Sequence, residues 1–208
     1  MERTFKKTAV IGAGAWGTAL AFTAAQDGSE VVLWTYLEKE AAAIRETRMS
    51  LVPIKGARPL PENVKVTSDW ADVAGAELVI VVVPSVVMRS VAQSLANVGL
   101  AEHAVIVSCS KGIEKDTNLL MSEILASNLN YPVGALSGPN HAEDIVQGLP
   151  SLTASIVQDC ITAARNCPGK PGIIQKTKGI DPHDHVQEER RLHSGRADCR
   201  HRNPGHPG

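Results

Sequence analysis

The sequence predicts a doubly wound α/β fold on a mostly parallel sheet. Three observations carry this expectation. Short β-branched runs alternate with helical stretches, Gly12, Gly14 and Gly17 sit at GxGxxG spacing at the first strand-to-helix junction, and five strand-like runs end in turns of small, polar or charged residues. Strands separated by helices need right-handed crossovers, so the sheet is parallel and carries helices on both faces.

The elements follow in order. "TAVIGA" reads as the first strand, Ala15 to Gly28 as a helix, "EVVLWT" as the second strand and Leu37 to Arg48 as a helix. A Pro-rich crossing, "LVPIKGARPLPENV", leads to the strand "VKVTS" and a brief helix from Asp69. "LVIVVVP", residues 78 to 84, reads as a strand buried on both faces, because it is far shorter than the roughly 18 residues a membrane helix needs and Pro84 closes it. A helix from about Val86 to Val98, the strand "AVIVSCS", a helix from Asp116 to Asn128 with Asp116 or Thr117 as N-cap, and the strand "PVGALSG" complete the alternation.

In such a sheet, ligands gather outside the carboxyl ends of the strands. The turns to read for chemistry are therefore "GAGAWG", "TYLEKE", "VPSVVM", "SCSKGIEKDT" and "SGPNHAED". The 208 residues carry a formal net charge of −1, with 43% hydrophobic residues, enough for a full core and too little charge to draw the chain onto nucleic acid or an anionic membrane. Cys109, Cys160, Cys167 and Cys199 form no CxxC pair, no metal site is legible, and no secretory signal precedes the first apolar run. Reduced thiols in a cytoplasm are the expectation.

Each glycine of the first turn has its own task if a dinucleotide binds there. Gly12 permits the tight turn, Gly14 lets the backbone approach a pyrophosphate, and Gly17 allows the helix to pack on the strand. The open amides of the following helix then favour phosphate charge. Cofactor choice is set about twenty residues further on, where an acid would hold the ribose diol and a basic group a 2′-phosphate. Here the second strand ends "LWTYLEKE", with neither Asp nor Arg at its tip, and Glu38 beside Lys39 reads as a solvated helical turn. NAD and NADP both remain open.

Taken together, "GAGAWGTALA", "VVLW", "VPS", "SKGIE" and "LSGPNHAEDIVQGLPS" resemble the bacterial type of NAD(P)-dependent glycerol-3-phosphate dehydrogenase, from about Lys7 to Ser155. The resemblance implies a Rossmann domain over residues 1–158. It implies an oxidoreductase catalysing reversible hydride transfer between NAD(P)H and a phosphorylated triose, dihydroxyacetone phosphate, giving sn-glycerol 3-phosphate for glycerophospholipid synthesis. Ala15, Trp16, Tyr36 and Ala142 fall at the family's cofactor positions, and Tyr36 replaces a common Arg or His. Lys111 matches the lysine near both nicotinamide and substrate, and Gly138 and Asn140 match substrate-side positions. Elementary chemistry agrees for Lys111, since an ammonium at the end of a parallel strand stabilises the charge that develops on a ketone oxygen accepting hydride. His141 invites a general-acid role but reads better as a polar residue in the first turn of a helix after "SGP". A homo-oligomer is compatible with all of this.

Beyond Gln158 the apolar alternation stops, and residues 159–208 read as an unstructured or aberrant tail. The family's second, helical domain with its own lysine has no matching motif after Ser155, and Lys170, Lys176 and Lys178 lack its flanking pattern. A foreign reading frame or a mispredicted gene end from about Asp159 onward is the expected cause, with weak cofactor binding and little turnover as the consequence. Two other readings stay open: a dinucleotide-binding fragment or sensor without catalysis, and a metal- or nucleic-acid-binding tail built on its five histidines and Cys199.

Overall fold

A computed structural model describes residues 5–138, 141–148 and the backbone of 154–157. The expectations for residues 159–208 lie outside the described residues.

Six parallel strands and one antiparallel strand form a single sheet in the order β3-β2-β1-β4-β5-β6-β7. These are β1 (Lys7–Ile11), β2 (Glu30–Trp34), β3 (Val64–Thr67), β4 (Leu78–Val81), β5 (Val105–Ser108), β6 (Val133–Ser137) and β7 (Ala154–Val157). The helices are α1 (Ala15–Ala24), α2 (Glu38–Thr47), α3 (Met88–Leu95), α4 (Met121–Asn128) and α5 (Ala142–Val146). Strand order reverses between β1 and β4, where Ala9 faces Val79 and Val10 faces Ile80 in register. That reversal creates the crevice in which doubly wound sheets hold ligands.

The pleat explains the two cores. Val10, Val31 and Leu33 point to one face and meet Ala19 and Phe22 of α1, Ile44 of α2 and Val146 of α5. Ile11, Val79, Val81 and Ile106 point to the other and meet Met88 and Leu95 of α3 and Ile124 and Leu125 of α4. Each such large side chain contributes about 1.5–3 kcal/mol by leaving water. β1 lies between the layers, and its residues Thr8 to Ile11 are buried on both sides. β4 is less enclosed than its sequence predicts: Val79 and Val81 are buried, but Leu78 and Ile80 only half so. Ile80 packs at the margin of the core on the α1 side.

Local chemistry sets the ends of the elements. A single 3₁₀ turn, Ala25–Asp27, follows α1, and Gly28 closes it at φ 83°. Arg48 ends α2 at φ 55° and donates from its guanidinium to the carbonyls of Leu60, Val64 and Pro61, pinning the Pro-rich crossing. Trp34 stacks on Trp70 at 4.1 Å between ring centroids and donates its indole N–H to the Ser68 carbonyl at 3.0 Å. The tryptophan of "VVLW" is thus core, and the brief helix after Asp69 is a 3₁₀ turn, Trp70–Val73, capped by the Asp69 carboxylate.

Two helix starts differ from expectation. A 3₁₀ turn, Ser85–Val87, precedes α3, which begins at Met88 rather than Val86. α4 begins at Met121 with Leu120 as its N-cap, so neither Asp116 nor Thr117 caps it. The reason lies in the segment before it. Ile113 and Leu120 pair as an antiparallel bridge, the Glu114 N–H donates to the Leu119 carbonyl at 2.9 Å, and Asn118 turns the chain at φ 57°. A small hairpin uses the residues that would have been the first helical turn. Glu123 then reaches back to accept from the Leu120 N–H at 2.7 Å.

Candidate functional site

The carboxyl edge of the sheet opens into a cleft of about 360 Å³ between the turns that follow β1, β4, β5 and β6. Four of the five turns singled out in the sequence meet there. The fifth does not: Tyr36, after β2, is 81% exposed and outside the cleft wall.

The first turn is built by steric exclusion. Gly12 holds φ at 116°, and a Cβ on it would lie 2.2 Å from the Val82 carbonyl oxygen at the end of β4. Its N–H donates to the Trp34 carbonyl at 2.8 Å, which carries the β1–β2 ladder one residue further. A Cβ on Gly17 would meet the Gly12 oxygen at 1.8 Å, whereas Val10 of β1 lies 3.7 Å away. Gly17 therefore packs α1 on the turn itself more tightly than on the strand. Gly14 differs from both, since a Cβ there would meet nothing within 4 Å. It is the N-cap of α1, with no side-chain cap and no acid in the helix's first turn. The first amides of a helix lack intrahelical acceptors and carry the positive end of its dipole. Ala15 and Trp16, which follow Gly14, line the cleft.

The turn after β5 supplies the cleft's cation. Lys111 lines the wall, is exposed, and has no ion pair among the described residues. Ser110 beside it ties two strand ends together, accepting from the Val83 N–H at 3.0 Å and donating to the Val81 carbonyl at 3.4 Å. Cys109 also lines the cleft but is 7% exposed, and burial pushes its thiol up to about 12. A thiol held protonated in this way is no nucleophile.

β6 and α5 form the far wall, with Ser137, Gly138, His141 and Ala142 in it. Asn140 lies outside the described residues. His141 is the N-cap of α5 and not a residue of its first turn, and its imidazole makes no capping hydrogen bond. Its place in a turn after a strand was the signal that sequence offered.

Sequence reading overlooked Arg89 and Glu114. The Arg89 Nε and terminal nitrogen donate to the two carboxylate oxygens of Glu114 at 2.8 and 2.6 Å, and the Thr117 hydroxyl adds a third bond. These bonds, Arg89 first, hold the Glu114 carboxyl down at about 2. Nothing in "VPSVVMRS" marks Arg89 as their source. Glu38, weighed as a ribose ligand, is already engaged by the Ser68 hydroxyl and Arg45, and both lower its carboxyl from the usual range.

A glycine turn at the switch point of a doubly wound sheet, opening on an uncapped helix, defines a dinucleotide-binding domain of Rossmann type. Comparison with known proteins carries this further. The model for the N-terminus of NAD-dependent glycerol-3-phosphate dehydrogenase matches residues 7–163, and the chain belongs to that family. The glycerol-3-phosphate dehydrogenase [NAD(P)+] of Rhodopseudomonas palustris (strain HaA2) is 42% identical over 161 residues, covering 77% of this chain and 48% of the relative. That of Fusobacterium nucleatum is 34% identical over 164 residues, 77% and 46% of the two chains. Among solved structures, glycerol-3-phosphate dehydrogenase from Coxiella burnetii superposes with a TM-score of 0.67 at 28% identity, over 74% of this chain and 47% of that one. The chain spans about half the length of the curated relatives it matches.

Proposed function

We propose that this chain binds NAD or NADP in the cleft at the glycine turn and presents Lys111 to a phosphorylated triose. The reaction is the family's: reversible hydride transfer between NAD(P)H and dihydroxyacetone phosphate, giving sn-glycerol 3-phosphate. The observation that carries it is the meeting, in one cleft, of an uncapped helix beside the open face of Gly14 and the ammonium of Lys111, which has no ion pair among the described residues.

The residues present fit a dinucleotide. Gly12 and Gly17 leave no room for a side chain, while the space over Gly14 is free for a ligand. The amides that open α1, with Ala15 and Trp16, would hold the pyrophosphate, with Ala142 on the opposite wall. Bound NAD(P)H supplies the hydride. Lys111, at the end of β5, is assigned by the resemblance to both nicotinamide and substrate: it helps to hold the cofactor and stabilises negative charge on the substrate oxygen or draws in its phosphate. Gly138, and Asn140 beyond it, are assigned to the substrate side, and Tyr36 to the cofactor on the strength of its position after β2.

Among the described residues no helix is long and apolar enough to cross a membrane. A cytoplasmic setting and a homo-oligomer belong to this proposal, supported by the likeness to the family. The test is to follow NADH or NADPH oxidation with dihydroxyacetone phosphate beside a Lys111→Ala control. Turnover above that control supports the reading. Saturable NADH binding with equal, negligible turnover in both reduces it to a dinucleotide-binding module.

A further inference from the structure

We infer that Arg89 and Glu114 are positioning residues, a clamp between α3 and the hairpin after β5 that fixes Lys111 in the cleft. This rests on the reading of Lys111 given above.

Apolar burial alone does not place the hairpin. Ile113 is 56% exposed and Leu120 50% exposed, so the pair that closes it contributes little by leaving water. Leu119 packs on the core at its far end, eight residues from Lys111. Near Lys111 the attachments are different in kind. Gly112, at φ 109°, passes the Ser85 side chain with room for a Cβ at 3.5 Å and no closer. Two residues on, the Glu114 carboxylate takes both nitrogens of the Arg89 fork.

Exposed ion pairs in general contribute little, because two long side chains must be held in one geometry. This pair escapes that rule in two ways. Its bidentate geometry fixes direction as well as distance, and the pair is half-buried on the hairpin side, with the Glu114 side chain 20% and the Arg89 side chain 40% exposed. The Glu114 backbone also closes the hairpin twice, donating to the Leu119 carbonyl and accepting from the Asn118 N–H at 2.9 Å each. One residue therefore ties the hairpin to itself and to α3. Without the tie, the segment from Lys111 to Asn118 is free to swing, and the ammonium loses its fixed place among the turns.

The experiment is a double-mutant cycle on the full chain, read by NADH fluorescence titration alongside thermal unfolding. Lys111→Ala and Arg89→Ala should each raise the NADH dissociation constant about fivefold, and the double variant should raise it no further, because both act through one ammonium. Arg89→Lys should recover only part of the loss, since an ammonium cannot make the two-pronged contact. Glu114→Gln, which keeps the side-chain shape, should behave like Arg89→Lys. The inference is overturned if Arg89→Ala leaves NADH affinity unchanged while Lys111→Ala weakens it, a result that spares the reading of Lys111. It is overturned equally if the two losses multiply, which marks the clamp as general structure. If Lys111→Ala itself leaves binding unchanged, the reading of Lys111 falls and the clamp with it.

Discussion

Gly14 and Gly17 stand three residues apart in one motif and face opposite surroundings. A methyl group on Gly17 would lie 1.8 Å from a backbone oxygen that cannot swing aside, so Gly17→Ala must move the turn or α1. Overpacking of this kind costs about 1–3 kcal/mol, and thermal unfolding should show a melting temperature lower by several degrees. Cys109 gives a second expectation for a single residue. With its thiol pushed from 9.0 up to about 12, the thiolate fraction at pH 8 is about a thousandfold below that of a free cysteine. Its peptide should stay unlabelled by a thiol reagent in the folded chain and label once urea is added. A raised thiol also stabilises the fold below pH 9 and loses that contribution as pH rises from 9 toward 12.

At the scale of elements, the six parallel strands were legible because each is a short β-branched run closed by turn residues, and periodicity needs no more than that. β7 was not. Ala154–Val157 is four residues long and pairs antiparallel with β6, so the crossover rule that organises the parallel strands does not place it. The start of α4 was misplaced for a related reason: Asp116 and Thr117 look like caps, but the Thr117 hydroxyl donates to Glu114 and accepts from the Leu119 N–H within the hairpin, and the chain turns at Asn118. Local propensity does not register a bond to an arginine on another helix. The hairpin and its clamp should show in acid. Glu114, held at about 2 against 4.5 when free, stabilises the fold above pH 4.5, and that contribution fades as pH falls toward 2. Thermal unfolding followed across that window should be flatter for Glu114→Gln than for the parent. Arg48 offers a parallel case at the end of α2. Its three carbonyl partners lose their donor in Arg48→Ala, and urea unfolding should report a loss of about 1–3 kcal/mol.

For the whole molecule, the order of strands makes a site out of scattered turns. The turns after β1 and β4 are about seventy residues apart in sequence, yet lie side by side where the order reverses. That convergence was legible from alternation alone. The place of Tyr36 outside the cleft was not: the cleft gathers the turns after β1, β4, β5 and β6, and β2 lies on the other side of β1, with Tyr36 exposed. The central claim is that this cleft holds a dinucleotide over Gly14, and Gly14→Asp tests it with opposite effects on fold and binding. At an uncapped N-cap with backbone at φ −67°, an aspartate is well accommodated and should raise stability by about 0.5–1 kcal/mol. The same carboxylate occupies the space assigned to a pyrophosphate and repels it. NADH titrated into both proteins should saturate the parent and bind the variant at least about tenfold more weakly, a difference of about 1.4 kcal/mol, with the variant's melting temperature equal or higher. Equal binding by the two proteins, or none by the parent, would contradict the account.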